Sequence, residues 1–228
     1  MEIGAIHQRD RFLETINETS FGDTEDIRLA VPESFLHLGQ ASLDATGIPI
    51  GQPLAVIHPG SGSPHKCVAP EVLAAAIDAM QGSGMTPVVL EGPADREPVE
   101  RLLRSCSDSA ILLTGLDLLT VAGILAQADL YVGQDSGITH LAGLMGVRMV
   151  ALFGPTDPAR WAPRGANVSV IQGGPCFCRS WEEVSRCEEK PCLKIQQDYL
   201  VTSCLLYLKV SQAPKRIPSA SQSFPIRK

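Results

Sequence analysis

From Leu54 onward, short apolar runs alternate with stretches whose apolar residues recur every three or four positions. The run LAVIH (Leu54–His58) is β-branched and ends in Pro-Gly. Val72, Leu73, Ala76, Ile77 and Met80 then fall on one helical stripe that opens at Pro70 and closes at Gly82 and Gly84. TPVVLEG (Thr86–Gly92) predicts a strand, and Val99, Leu102, Leu103 and Cys106 predict a helix. Ala110–Leu113 predicts a strand, and Leu118, Val121, Ala122 and Leu125 stripe another helix. Asp129–Gly133 (strand), Ser136–Gly146 (helix), Arg148–Gly154 (strand) and Val168–Ile171 (strand) complete the alternation. Strands apolar throughout, separated by helices, predict a doubly wound, Rossmann-like α/β domain with a parallel sheet covered on both faces. Ligands of such sheets sit outside the carboxyl ends of the strands. The informative loops therefore follow His58, Leu90, Leu113, Val132 and Phe153.

The texture differs on either side of this region. Residues 1–52 are mixed and polar, with a weakly amphipathic stretch from Ile6 to Ile16 and a short apolar run from Ile27 to Val31. That is too little apolar surface for a domain and reads as a helix plus a connector. The tail, 211–228, is rich in Pro, Ser and basic residues and predicts disorder. The compact unit is then 53–210 within a chain of 228 residues. The net charge of −6 disfavours nucleic acid as a partner, because phosphate backbones want a basic face. No run approaches the ~20 apolar residues that span a bilayer, and the start lacks a secretory signal pattern. Seven cysteines, an odd number, fit reduced thiols or a metal site better than a disulfide framework, so the expected compartment is the cytoplasm.

Two loops are suited to phosphate. In HPGSGSPHK (His58–Lys66), Gly60 and Gly62 let backbone amides approach a ligand and Lys66 offers a point charge; an ordinary turn with a solvated lysine is the plain alternative. In GQDSGITHLAG (Gly133–Gly143), Asp135 or Ser136 caps a helix entered directly from a strand, Gly137 removes a side chain, and His140 lies one turn along the same face. A third loop, FGPTDPARWAP (Phe153–Pro163), is stiffened by proline; Thr156 and Asp157 offer polar groups, and Trp161 reads as an apolar anchor. In EGPADREP (Glu91–Pro98), Asp95 either caps the next helix or faces the site to accept ribose hydroxyls, with the cap favoured. A dinucleotide fingerprint, a P-loop and a nucleophile elbow are all absent.

Taken together, HPGSG…K, D-S-G-x-x-H-L-A-x-x-x-G-V and F-G-P-T-D-P-x-x-W-x-P resemble glycosyltransferase family 9, the ADP-heptose:lipopolysaccharide heptosyltransferases of Gram-negative bacteria. The resemblance covers Leu54 to Ile171 and extends towards Leu208. It implies a GT-B architecture of two Rossmann-like domains with the site between them, of which this chain resembles the C-terminal, donor-binding half. Residues 1–52 then correspond to the end of the acceptor domain and the interdomain connector. By position, Lys66 resembles the lysine at the donor phosphate and sugar, and Asp135, Ser136, Gly137 and His140 resemble the donor motif. Ser61 and Gly62 fall beside the diphosphate. Lys66 and His140 are expected to assist the leaving group, with Gly60 and Thr156 among the substrate-binding residues. Relatives often carry K-R-W after the first loop, where this chain has Lys66-Cys67-Val68.

The implied reaction is inverting transfer of heptose from ADP-heptose to the lipopolysaccharide inner core, without a catalytic cofactor, at the cytoplasmic face of the inner membrane. The general base is expected in the acceptor domain, supplied in the same chain or by a partner chain; within these loops Asp157 is the first candidate. Two alternatives stand beside this: a non-catalytic nucleotide-sugar-binding module or gene fragment, and a GT-B enzyme using another nucleotide sugar. Finally, Cys176, Cys178, Cys187 and Cys192 fall in the pattern C-x-C-x8-C-x4-C. Free thiols are the plain reading, and a structural zinc site is the sharper one. Cys67, Cys106 and Cys204 read as small core residues in helical contexts.

Overall fold

A computed structural model describes residues 6–8, 10–11, 28–48, 51–108 and 110–207. The helix expected across Ile6–Ile16 and the tail 211–228 lie largely or wholly outside them. In chain order the elements are α1 (Glu33–Asp44), β1 (Leu54–His58), α2 (Pro70–Gly82), β2 (Thr86–Glu91), α3 (Arg96–Ser105), β3 (Ile111–Thr114), α4 (Leu118–Gln127) and β4 (Leu130–Gln134). They continue with α5 (Gly137–Leu144), β5 (Met149–Phe153), α6 (Pro158–Trp161), β6 (Val168–Gln172), α7 (Trp181–Arg186) and α8 (Gln197–Leu206). The six strands form one sheet in the order β3-β2-β1-β4-β5-β6, and every neighbouring pair is parallel. The chain order reverses direction between β1 and β4, where open parallel sheets place their ligands.

The central strands β1, β4 and β5 are buried along their whole length, as unbroken apolar runs require. Alternate residues feed two cores. Ala55, Ile57 and Val132 face α2, α3 and α8, packing with Leu73, Ile77, Leu102 and Leu200. Leu54, Val56 and Tyr131 face the other side, packing with Leu43, Ile124 and Leu125.

The expected strand at Asp129–Gly133 is shifted by one residue. Asp129 is not part of β4; its Oδ2 accepts the Leu54 N–H at 2.9 Å and fixes the start of β1. Four helices were not expected: the short α6 and α7, in segments read as loops, and α1 and α8. α1 lies in the segment read as mixed, and it packs on α4 through two facing glycines. A Cβ on Gly39 would lie 2.3 Å from the backbone of Gly123, and one on Gly123 would lie 1.8 Å from the Phe35 carbonyl oxygen. α8 buries only Leu200 and Cys204, one turn apart on one face, which is too short a pattern to mark a helix. Cys204 is a core residue as expected, but Cys67 and Cys106 sit just after helical turns and are half-buried.

Candidate functional site

The loops at the carboxyl ends of β1 to β4 enclose a cavity of about 580 Å³. One side is apolar, formed by Leu90, Leu113, Leu116, Leu118 and Val121. The other is formed by His58, Ser61, Gly62 and Asp95 and by the first residues of α5, Ser136, Gly137 and Ile138. The strand-to-helix junction forms because Ser136, in extended conformation, accepts the Thr139 N–H at 3.4 Å and caps α5. Of the two capping candidates, Ser136 is therefore the cap. The amides of Gly137 and Ile138 precede the first intrahelical donor, the His140 N–H that bonds the Ser136 carbonyl, and lie at the positive end of the helix dipole. Gly137 and Gly62 have open space where a Cβ would sit, so the backbone is accessible at both.

Asp135 turns away from the cavity. Its Oδ2 lies 2.8 Å from Lys66 Nζ, with the carboxylate buried and the lysine about a quarter exposed. Ser61 joins this pair to the cavity wall, since its hydroxyl donates to the Asp135 carbonyl at 2.6 Å. Lys66 also lies 5.9 Å from the ring centroid of Trp181, at the start of α7. Lys66, Asp135, Gly60, His140 and Thr156 are not among the residues that line the cavity. His140 is half-buried, and burial holds its imidazole below the usual value against the opposing pull of Asp135. The hydroxyl of Thr156 is buried and makes no hydrogen bond. The carboxylate of Asp157 is occupied as the cap of α6, accepting the Ala159 N–H at 2.9 Å.

Asp95 corrects the sequence expectation. It stands at the N-cap position of α3 but makes no capping hydrogen bond. Its Oδ2 instead meets His58 Nε2 at 2.9 Å and accepts the Gly92 N–H at 3.0 Å. The bond to His58 holds the Asp95 carboxyl below the ordinary carboxylate range, against the effect of burial. Gly60 is required here, because a Cβ on it would lie 1.7 Å from Asp95 Oδ1. His58 itself went unread as a site residue. The signal available for it was its place as the last residue of a strand.

The four clustered cysteines are all free. Cys178 contacts Cys176 and Cys187, and Cys192 contacts Cys176; burial and these neighbours push Cys178 and Cys192 up to about 11. Among the described residues, however, no group of three or more His, Cys, Asp or Glu side chains is arranged to hold a metal ion. The zinc geometry, the sharper of the two readings, is therefore not formed in this conformation. No helix among the described residues is long and apolar enough to cross a membrane.

Comparison with known proteins adds to this geometry. Lipopolysaccharide heptosyltransferase 3 of Escherichia coli K12 is 29% identical over 168 residues, covering 71% of this chain and 47% of that protein. Lipopolysaccharide heptosyltransferase 1 of Pseudomonas aeruginosa is 40% identical over 84 residues, covering 36% of this chain and 23% of the relative. The chain thus spans less than half the length of these curated relatives. A glycosyltransferase of family 9 from Veillonella parvula superposes with a TM-score of 0.79 at 22% identity, covering 90% of this chain and 61% of that one. The E. coli ADP-heptose lps heptosyltransferase II superposes with a TM-score of 0.66 at 18% identity, covering 80% and 54% of the two chains. These two structures share the fold. The family model for glycosyltransferase family 9 (heptosyltransferase) matches residues 17–191, and the chain belongs to that family.

Proposed function

We propose that this chain is the donor-binding half of a heptosyltransferase, holding ADP-heptose for inverting transfer of heptose to the inner core of lipopolysaccharide. The observation that carries this is the cavity of about 580 Å³ with an apolar wall on one side and the N-terminus of α5 on the other. The leucine-lined wall suits a purine. The Gly137 and Ile138 amides suit a diphosphate, because fixed donors aimed at developing charge stabilise a leaving group without reorganising. Lys66 adds a cation on the far side of Ser61, towards the transferred sugar.

The acceptor hydroxyl must lose a proton as it attacks the anomeric carbon. Asp157 is engaged as a helix cap, so the base is assigned to the acceptor domain, in the same chain or in a partner chain. The acceptor is the lipopolysaccharide core, met at the cytoplasmic face of the inner membrane. No step of this transfer is assigned to a cofactor. Cys176, Cys178, Cys187 and Cys192 supply a four-thiolate donor set of the kind zinc takes structurally; they would have to close together to hold it.

Calorimetric titration with ADP, UDP, GDP and ADP-heptose tests the proposal. ADP and ADP-heptose should bind, and UDP and GDP should bind more weakly. Equal affinity for all three diphosphates would support another nucleotide sugar, and no binding of any would refute a donor site.

A further inference from the structure

Beneath the cavity, Asp95, His58, Ser136, Thr139 and Tyr131 form one hydrogen-bonded chain, and their protons can be placed by elimination. Thr139 Oγ1 donates to the Gln134 carbonyl, which can only accept. The Tyr131 hydroxyl, 2.9 Å from Thr139 Oγ1, must therefore be the donor to it. Ser136 Oγ lies 3.1 Å from Thr139 Oγ1 and 3.3 Å from His58 Nδ1. Because the Thr139 proton is committed, the first contact is a hydrogen bond only if Ser136 donates. The second is then a hydrogen bond only if Nδ1 carries a proton. Nε2 carries one as well, since it faces the carboxylate of Asp95 at 2.9 Å.

We propose that His58 is held as an imidazolium, a buried cation paired with Asp95, which fixes Ser136 and places positive charge behind the N-terminus of α5. With this assignment every hydroxyl in the chain accepts twice or ends the chain, and every proton has a partner. A neutral His58 would accept the Ser136 hydroxyl's hydrogen bond at Nδ1 and leave the lone pairs of Ser136 and Thr139 facing each other at 3.1 Å. His58 and Asp95 are 5% and 7% exposed. A buried ion pair persists only when its remaining hydrogen bonds are made, as the Gly92 N–H and Ser136 Oγ make them here.

Few charged or titratable groups face His58. Asp95 comes from the β2–α3 loop, Glu91 at the end of β2 lines the same cavity and accepts the Thr114 hydroxyl, and Tyr131 on β4 reaches His58 through Thr139 and Ser136. Asp135, beside Ser136, has its carboxylate on Lys66. The Ser136 hydroxyl is saturated by Thr139 N–H, His58 and Thr139 Oγ1, so it does not contact a ligand. An anion at α5 meets the Gly137 and Ile138 amides, with His58 as a positioning residue and a source of field. This role rests on the diphosphate site proposed above.

The protonation state can be read without nucleotide. Long-range proton–nitrogen NMR on the histidine-labelled chain at pH 7, with His58 assigned by loss in His58→Gln, should show both ring nitrogens protonated. A single ring proton at pH 7 would overturn the proposal. Asp95→Asn removes the counter-charge at nearly constant shape and should return His58 to one ring proton; an unchanged signal would also overturn it. Calorimetry then tests the role. His58→Gln should weaken ADP roughly tenfold or more, the scale of one charged hydrogen bond, and leave adenosine unchanged. Equal loss for adenosine would overturn the role at α5. If the unmodified chain binds no ADP, the donor-site proposal and this role fail together, while the NMR result still decides the imidazolium.

Discussion

Lys66 Nζ lies 2.8 Å from Asp135 Oδ2, bridging the 3₁₀ turn after β1 to the junction between β4 and α5. The carboxylate is buried and the ammonium partly exposed, so the pair is screened on one side only. Lys66→Ala leaves Asp135 buried without its partner. It should lower stability by about 1–3 kcal/mol, read from denaturant midpoints. ADP affinity should fall over the same range of about 1–3 kcal/mol, read by calorimetry. Adding Asp135→Asn should recover stability but not affinity. Recovery of both would make the pair structural only.

The α1–α4 contact should be intolerant of a methyl group. Gly123→Ala places a Cβ 1.8 Å from the Phe35 carbonyl oxygen, and the helices must separate. The expected loss is about 1–3 kcal/mol or more, measured by urea unfolding. Gly62→Ala, with nothing within 4 Å of its Cβ, should change stability by no more than ~0.5 kcal/mol.

Acid should destabilise the fold through Asp95. Its carboxyl is held below the unfolded value by the bond to His58. The stability it contributes is full above the unfolded pKa of about 4 and is lost as pH falls through the folded value. Asp95→Asn should flatten that acid limb in a series of thermal melts. His140 acts at higher pH. Burial lowers its pKa in the fold, so the unfolded chain binds the proton more readily. Stability should therefore decline as pH falls from about 6.5 towards the folded value, and His140→Gln should remove that decline.

If zinc closes the cysteine cluster, the purified chain should carry one metal per molecule by elemental analysis. A chelator should strip it and lower the melting temperature, and Cys178→Ser should do the same. Equal melting temperatures with and without chelator would leave four free thiols.

On its own, the 228-residue chain should bind donor and transfer heptose very slowly. General-base assistance is worth roughly 10²–10⁴ in rate, and the proposed function assigns the base to the acceptor domain. A transfer assay with purified lipid acceptor checks this. Robust turnover would place the base in these loops, with Asp157→Asn the first variant to make.

Much of this protein was determined by local pattern. The apolar runs and helical stripes marked all six strands and the helices α2 to α5 to within a few residues, because burial on both faces leaves a direct mark on sequence. Ser136 and Gly137 were legible for the same reason: a cap and a small residue at a strand-to-helix junction are short-range features. Helices α1 and α8 were not legible. The first buries a glycine contact, and the second buries only two residues, one turn apart. The partner of Asp95 also depended on tertiary structure. A local rule makes it the cap of α3, but the sheet brings His58 to it across 37 residues, and Ser136 to His58 across 78. A charge in a buried site takes the strongest partner within reach, and only the packing of β1 between β2 and β4 decides which partner that is.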